Sequence, residues 1–262
     1  MEIVITTLIV GGMGLVCAVL LAAVARRFGI KENQHIAMVA EVLPQANCGA
    51  CSYAGCADYA KAIVEDGALL TLCPPGGATV VKKLSALMGV DATADEPMTA
   101  LVRCGGDLAD ARRRYDYNGI TDCIAAHAIH GGDKACSFGC LGYGACKRVC
   151  PVNAMIAENG LIRVIKERCI ACGSCIKVCP RHLIALVPKK HAIHVLCMSQ
   201  DKGSLVRRLC ARGCIGCKIC TRLDPAFIMD GNLATVDYTR APVVNEEVIA
   251  KCPEKCIHKD RN

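Results

Sequence analysis

The sequence predicts an α+β chain: one N-terminal transmembrane helix, a small four-cysteine domain, and a small cysteine-rich unit present twice. Three observations carry this. Residues Ile3 to Ala25 contain no charge. The 262 residues include 22 cysteines, most of them in short runs. Those runs recur at an offset of 74 residues, Cys123 aligning with Cys197, which marks a duplicated unit. The expected boundaries are 1–28 for the anchor, 29–90 for the four-cysteine domain and 91–122 for a connecting segment. Residues 123–196 form the first repeated unit and 197–262 a degenerate second one.

As a helix, Ile3–Ala25 would extend about 35 Å, enough for a hydrocarbon core of about 30 Å. Arg26, Arg27 and Lys31 follow. By the positive-inside rule the remaining chain then faces the cytoplasm, as a single-pass protein of the cytoplasmic (inner) membrane. Gly14, Ala18 and Ala22 recur at four-residue spacing, which suits close approach of a second membrane helix. The segment lacks the basic start and the shortness of a cleaved signal peptide. Cys17 within it is expected to act as a small buried hydrophobe.

Six Tyr, three Phe and no Trp leave little large-ring material for a core. Metals or cross-links are therefore expected to help hold the domains together. Disulfides suit neither a reducing compartment nor these spacings. Cys48, Cys51, Cys56 and Cys73 read C-x2-C-x4-C-x16-C. Three ligands on one loop with a fourth returning from a distance fit the corners of a cubane. Structural zinc more often takes two ligand pairs. Gly49 and Gly55 permit tight turns, and a helix is expected over Asp58–Asp66 with Tyr59, Ile63 and Val64 inward.

Cys169, Cys172, Cys175 and Cys179-Pro180 form the bacterial ferredoxin run, whose fourth cysteine ligates the other cluster of a pair. Its partner run is Cys136, Cys140, Cys146 and Cys150-Pro151, with Tyr143 where a ligand would stand. Crossed ligation gives one [4Fe–4S] cluster on Cys136, Cys140, Cys146 and Cys179. It gives another on Cys150, Cys169, Cys172 and Cys175. Between the runs, Asn159-Gly160 signals a hairpin. These are bacterial-ferredoxin-like units.

In the second copy Cys214, Cys217 and Cys220 are expected to close with Cys252, while Asp224 replaces a cysteine. Pro242 to Val248 contains no cysteine triad. One cluster is therefore expected there, and four in all. Cys104, Cys123, Cys197 and Cys210 remain for a fifth, leaving Cys17 and Cys256 outside any set; the alternative is that some are buried structural thiols.

The formal charge of +7 is no nucleic-acid signal. Four clusters with their thiolates contribute about −8, which leaves a nearly neutral protein. No dinucleotide fingerprint, Walker loop or zinc-protease motif appears. The seven histidines, His191 and His194 among them, are expected to be surface or hydrogen-bonded residues. Arg112, Arg113 and Arg114 read as a solvated face that could dock an acidic partner.

Together these residues resemble a family, the B subunit of the Rnf complex, an ion-translocating ferredoxin:NAD oxidoreductase, in its long multi-cluster form. The likeness rests on the uncharged N-terminal span and on Asn47-Cys48-Gly49-Ala50-Cys51 through Cys73-Pro74-Pro75-Gly76-Gly77. It rests also on Gly139–Gly144, Gly213–Cys217 and the ferredoxin runs. The resemblance implies a subunit that accepts electrons from soluble reduced ferredoxin and passes them to membrane and peripheral subunits, coupled to Na⁺ or H⁺ transport. Freestanding tethered polyferredoxin and colourless zinc protein are the rival readings.

Overall fold

The computed structural model describes residues 2–28, 33–94, 96–240 and 245–260. Helix α1 runs Glu2–Phe28. Its described side chains, Cys17 among them, are all exposed, including Leu8, Leu15 and Leu21. Among the described residues, no helix is long and apolar enough to cross a membrane. Lys31 and part of the expected flank lie outside the described residues.

Three helices build the first cysteine domain: α2 (Gln34–Val42), α3 (Cys56–Glu65) and α4 (Gly77–Met88). Asn33 caps α2 by accepting the His35 N–H at 3.0 Å. The core gathers Val39, Leu43, Tyr59, Ile63 and Leu84 around Cys56 and Cys73. Tyr59 is buried with its hydroxyl satisfied, donating to the Leu69 carbonyl at 2.6 Å, as a buried phenol requires.

The rest of the chain is built on two-stranded antiparallel sheets. β2 (Met155–Glu158) pairs with β3 (Leu161–Val164) across Asn159-Gly160. Both turn residues have positive φ, 46° and 72°, the type I′ geometry that matches strand twist. β6 (Phe227–Asp230) and β7 (Leu233–Val236) repeat the hairpin. Asp230 pairs with Leu233, so the turn residues are Gly231 and Asn232.

Each unit is closed by a second sheet. β1 (Met98–Val102) pairs with β4 (Ile184–Pro188), and β5 (Ile193–Val195) with β8 (Ile257–Lys259). The connecting segment 91–122 thus supplies a strand of the first unit, and β5 opens the second. Short helices carry the cysteine runs: α5 (Cys123–Ala128), α6 (Ala145–Arg148), α7 (Ser174–Lys177) and α9 (Ile219–Leu223). Two others flank the last of them, α8 (Gly203–Leu209) and α10 (Glu247–Lys251).

Gly142 and Gly216, at matching places in the copies, have positive φ. A Cβ on Gly142 would collide with the Gly160 carbonyl, and one on Gly216 with that of Asn232. Glycine here lets each cysteine loop lie directly on its hairpin turn.

Candidate metal centres

In the ferredoxin-like units each cysteine loop ends, just before its helix, in a left-handed residue: Gly144, Gly173 and Lys218. That reversal turns successive thiols toward one point. Four cavities result, each ringed by cysteines.

The first, about 290 Å³, is lined by Cys48, Cys51, Cys56 and Cys73 with Tyr59 beside them. Asn47 braces its loop by accepting the Cys56 N–H at 2.8 Å. The second, about 330 Å³, is lined by Cys150, Cys169, Cys172 and Cys175, the crossed set the ferredoxin run implies. The third, about 390 Å³, holds Cys123, Cys140, Cys146 and Cys179. The fourth, also about 390 Å³, holds Cys214, Cys217, Cys220, Cys252 and additionally Cys256.

In the third cavity the structure corrects the expectation. Cys136 is not among its lining residues, and Cys123 is. Cys123 opens α5 and packs with Ala126, Leu141 and Ala145 beside Tyr143. Asp122 fixes that helix start by accepting the Ile124 and Ala125 N–H groups at 2.7 and 3.1 Å. Helix α5 thus brings a thiol to the cavity whose run has Tyr143 in place of a cysteine. The repeat gave no signal for this: both copies carry the cysteine, Cys123 and Cys197, whether Tyr143 or Cys217 stands in the run. Cys104, Cys123, Cys197 and Cys210 do not gather as a set, since Cys123 belongs to the third cavity.

Cys256 also has a legible place. Asn153, His182 and Lys255 all have positive φ one residue before Ala154, Leu183 and Cys256. Those three residues are buried to 1–3% exposure, each four positions after a Cys-Pro cysteine. In the first two turns the buried residue donates its N–H to that cysteine, Ala154 to Cys150 Sγ at 3.2 Å and Leu183 to Cys179 Sγ at 3.4 Å. Cys256 is therefore the core residue of a third such turn, with its sulfur 3.6 Å from that of Cys252. It keeps its proton and holds Cys252 below the usual thiol range by donating to it.

Asp224 shows how the lost site closed. It is buried, and its Oδ1 accepts the Ala226 N–H at 2.8 Å where Cys150 Sγ accepts that of Ala154. Its Oδ2 accepts from Asn245 N at 3.3 Å, and Asn245 Nδ2 donates to the Leu223 carbonyl at 3.4 Å. The segment that would have carried a cysteine triad is tied to the carboxylate instead. Pro242 to Val244 of that segment lie outside the described residues.

The donor set fits iron–sulfur clusters. Among the described residues, no three His, Cys, Asp or Glu side chains converge on a point suited to one metal ion, which for zinc would put sulfurs within roughly 4 Å of one another. The thiols instead ring cavities in sets of four or more, as corner ligands of a four-iron core do. Burial first, then Cys169 and Cys172, pushes the Cys175 thiol up to about 12. Burial and then Cys140, Cys123 and Cys179 push Cys146 up to about 12 as well. Crowded buried thiols of this kind become thiolates when a cationic core sits among them. Backbone N–H groups point at further sulfurs, Ala100 to Cys169 Sγ at 3.3 Å and Ala234 to Cys214 Sγ at 3.4 Å. Such bonds tune cluster potentials.

The other sequence candidates are structural. Arg113 pairs with Asp133 at 3.4 Å. Arg114 donates to the carbonyls of His130 and Ala135 and to Ser137 Oγ. Two arginines of the basic run therefore staple their own loop. His191 and His194 are buried, not at the surface. His194 bonds Tyr238 Oη at 2.8 Å and Asp260 at 3.3 Å, and Lys166 reaches Asp260 at 2.8 Å. His191 packs edge-on against Tyr238, with neither ring nitrogen hydrogen-bonded.

Cavities ringed by cysteine, Cys-Pro turns and paired hairpins define an iron–sulfur protein of the [4Fe–4S] ferredoxin class. Family models agree: one described as a putative Fe–S cluster matches residues 43–75, and a 4Fe–4S dicluster domain matches 132–180. The chain is 40% identical to the B subunit of the proton-translocating ferredoxin:NAD(+) oxidoreductase complex of Clostridium ljungdahlii, over 94% of this chain and 88% of that one. It is 39% identical to the B subunit of the ion-translocating oxidoreductase complex of Methanosarcina acetivorans, over 95% of each. It is 38% identical to the Na(+)-translocating counterpart of Acetobacterium woodii, over 96% of this chain and 76% of that one. The chain belongs to this family, the B subunits of the Rnf complex.

Proposed function

We propose that this chain is the electron-transfer subunit of a membrane-bound, ion-translocating ferredoxin:NAD oxidoreductase, accepting electrons from reduced ferredoxin on the cytoplasmic side. Its partners are the other membrane and peripheral subunits of that complex. The observation that carries this reading is the separation of cysteines into four cavities, each lined by at least four thiols, with Cys150 and Cys179 exchanged between the two runs of the first unit. The ligand sets are Cys48, Cys51, Cys56 and Cys73; Cys150, Cys169, Cys172 and Cys175; Cys123, Cys140, Cys146 and Cys179; and Cys214, Cys217, Cys220 and Cys252.

Bound clusters supply one-electron chemistry with no general acid or base. The chain's own residues hold the thiolates, aim N–H groups at sulfur and keep water from the buried sulfurs. Helix α1 is the anchor. The absence of charge from Ile3 to Ala25 and the exposed apolar side chains along it support this. The cysteine domains then lie on the cytoplasmic side, as Arg26 and Arg27 imply.

The test is Cys172→Ser in the assembled complex, read by iron content and ferredoxin-to-NAD turnover. The expected result is loss of about four irons per chain and of turnover, with membrane attachment retained. Full turnover would refute the proposed route. Deleting residues 1–27 is expected to release a brown protein from the membrane fraction, and retention in that fraction would refute the anchor.

A further inference from the structure

The four cavities leave Cys104, Cys136, Cys197 and Cys210 without a role, and these come from both units. After β1, residues 105–112 run beside 196–211. Gly105 N donates to the Leu196 carbonyl at 2.9 Å, Ala211 N to that of Asp110 at 2.8 Å and Arg112 N to that of Leu209 at 2.9 Å. Arg212 pairs with Asp110 at 2.6 Å across the same seam. The seam is tight where the sulfurs meet: a Cβ on Gly106 would lie 2.5 Å from Cys210 Sγ. Cys104 Sγ accepts the Cys140 N–H at 3.3 Å and Cys197 Sγ accepts that of Ser199 at 3.4 Å, the same amide-to-sulfur contact made in the cavities. Cys104, Cys136 and Cys210 lie within electrostatic reach of one another, and Cys197 of Cys136.

Two cations face this corner. Lys134 is buried, 6% exposed, and its ammonium donates only to the Gly106 and Cys140 carbonyls, at 2.6 and 2.8 Å. Arg181 is half-buried; it donates to the carbonyls of Cys136, at 2.8 Å, Gly139 and Gly131, and its Nε has no partner. Neither pairs with a carboxylate among the described residues, and Asp133 beside Lys134 is taken by Arg113. Buried charge is ordinarily paired, because carbonyl dipoles alone leave the desolvation cost of an ammonium uncompensated. Arg181 also lines the third cavity, but both cations lie beside Cys136, with Arg181 near Cys104 and Lys134 near Cys210, and two unpaired charges at these three thiols imply an anion there. An oxidised [4Fe–4S] core with four thiolates carries about −2, the matching charge.

We propose that Cys104, Cys136, Cys197 and Cys210 hold a further [4Fe–4S] cluster at the seam between the two units, with Lys134 and Arg181 as its counter-cations. This rests on the iron–sulfur reading above and extends it: the seam joins the clusters of one unit to those of the other. The adjacent positive charge favours the reduced, more negative state, so this site sits higher in potential than it would without them.

The test is iron and acid-labile sulfide in the anaerobically purified full-length chain, with potentials from a titration followed by electron paramagnetic resonance. The expected content is about 20 irons, falling by a fifth in Cys210→Ser and unchanged in Cys17→Ser. Lys134→Met is expected to keep its iron while the seam midpoint, identified by its loss in Cys210→Ser, moves down. Arg181→Met, whose side chain is nearer the surface and also lines the third cavity, lowers that midpoint together with the third cavity's if Lys134→Met does not fold. About 16 irons in the wild type, unchanged in Cys210→Ser, would overturn the site. Midpoints unmoved in both cation variants would overturn the counter-cation assignment. A chain with no iron at all would instead sink the underlying iron–sulfur reading.

Discussion

The two ferredoxin-like units share a backbone plan and differ in what fills it. Both have a hairpin laid on a glycine of the cysteine loop, and both are closed by a first-with-last strand pair. The first unit surrounds two thiol-ringed cavities and the second, among the described residues, one. Where Cys150 accepts an amide through sulfur, Asp224 accepts it through a carboxylate and also ties down Asn245. The turn is two residues shorter between Asp224 and Ala226 than between Cys150 and Ala154. A site can thus disappear without disturbing its neighbour, provided the polar groups it satisfied find another partner.

The comparison breaks most visibly at Cys123. If it has replaced Tyr143 as a ligand, Cys123→Ser and Cys146→Ser strike one cluster, and the double variant loses about the same four irons as either alone. Cys136→Ser combined with Cys146→Ser loses about eight. Iron analysis of the four variants decides it; additive losses for Cys123 and Cys146 would return Cys136 to the third cavity.

Next in size is the glycine contact. Gly142→Ala and Gly216→Ala each set a Cβ against a backbone carbonyl at positive φ, so each is expected to cost about 1–3 kcal/mol. A fall in the urea midpoint measures it. Equal falls would support the shared plan, and no fall in either would show that the hairpins do not need to lie so close.

Asp224→Ala strips two buried N–H groups of their acceptor. The expected cost is about 1–3 kcal/mol with iron content unchanged, read by thermal unfolding and metal analysis. Asp224→Cys should not restore a cluster, since the facing segment supplies no thiols.

The smallest effect concerns Asp260. Burial would raise its carboxyl, but hydrogen bonds from His194 and Lys166 outweigh that and hold it below the usual carboxylate range. A depressed folded pKa adds stability above the ordinary value near 4, and that stability is lost as pH falls through the folded value. Lys166→Met is expected to cost under about 1 kcal/mol at neutral pH, given the partial exposure of the pair. It should also flatten the acid limb of a stability-against-pH curve, and an unchanged limb would rule the pair out as its source.

Much of this was legible in the sequence because ligand spacing is a local property. The sets around Cys51 and Cys172 and the Asn159-Gly160 hairpin each depend on a few adjacent residues. What escaped depends on distant partners. Cys123 lies 17 residues before Cys140, and only the packing of α5 against Tyr143 brings it near. β1 lies in a stretch read as a connector, because an edge strand of five residues has little pattern of its own until β4 meets it. The arginine run read as a free surface because carbonyl acceptors at His130 and Ala135 leave no trace in sequence. His194 meets the expectation of a hydrogen-bonded histidine, but His191 is neither exposed nor bonded, because Tyr238, more than 40 residues away, covers it.

The pairing of β1 with β4 also sets an order on biosynthesis. At its narrowest, between Val102 and Ile184, it closes a loop over residues 103–183. Within that loop lie ten of the 22 cysteines. A ribosome making the chain from the N-terminus releases all ten before the strand that seals them has been translated. Each of the ten is thus made before the strand that closes their loop, and the β1–β4 pair is complete only once translation has passed Pro188.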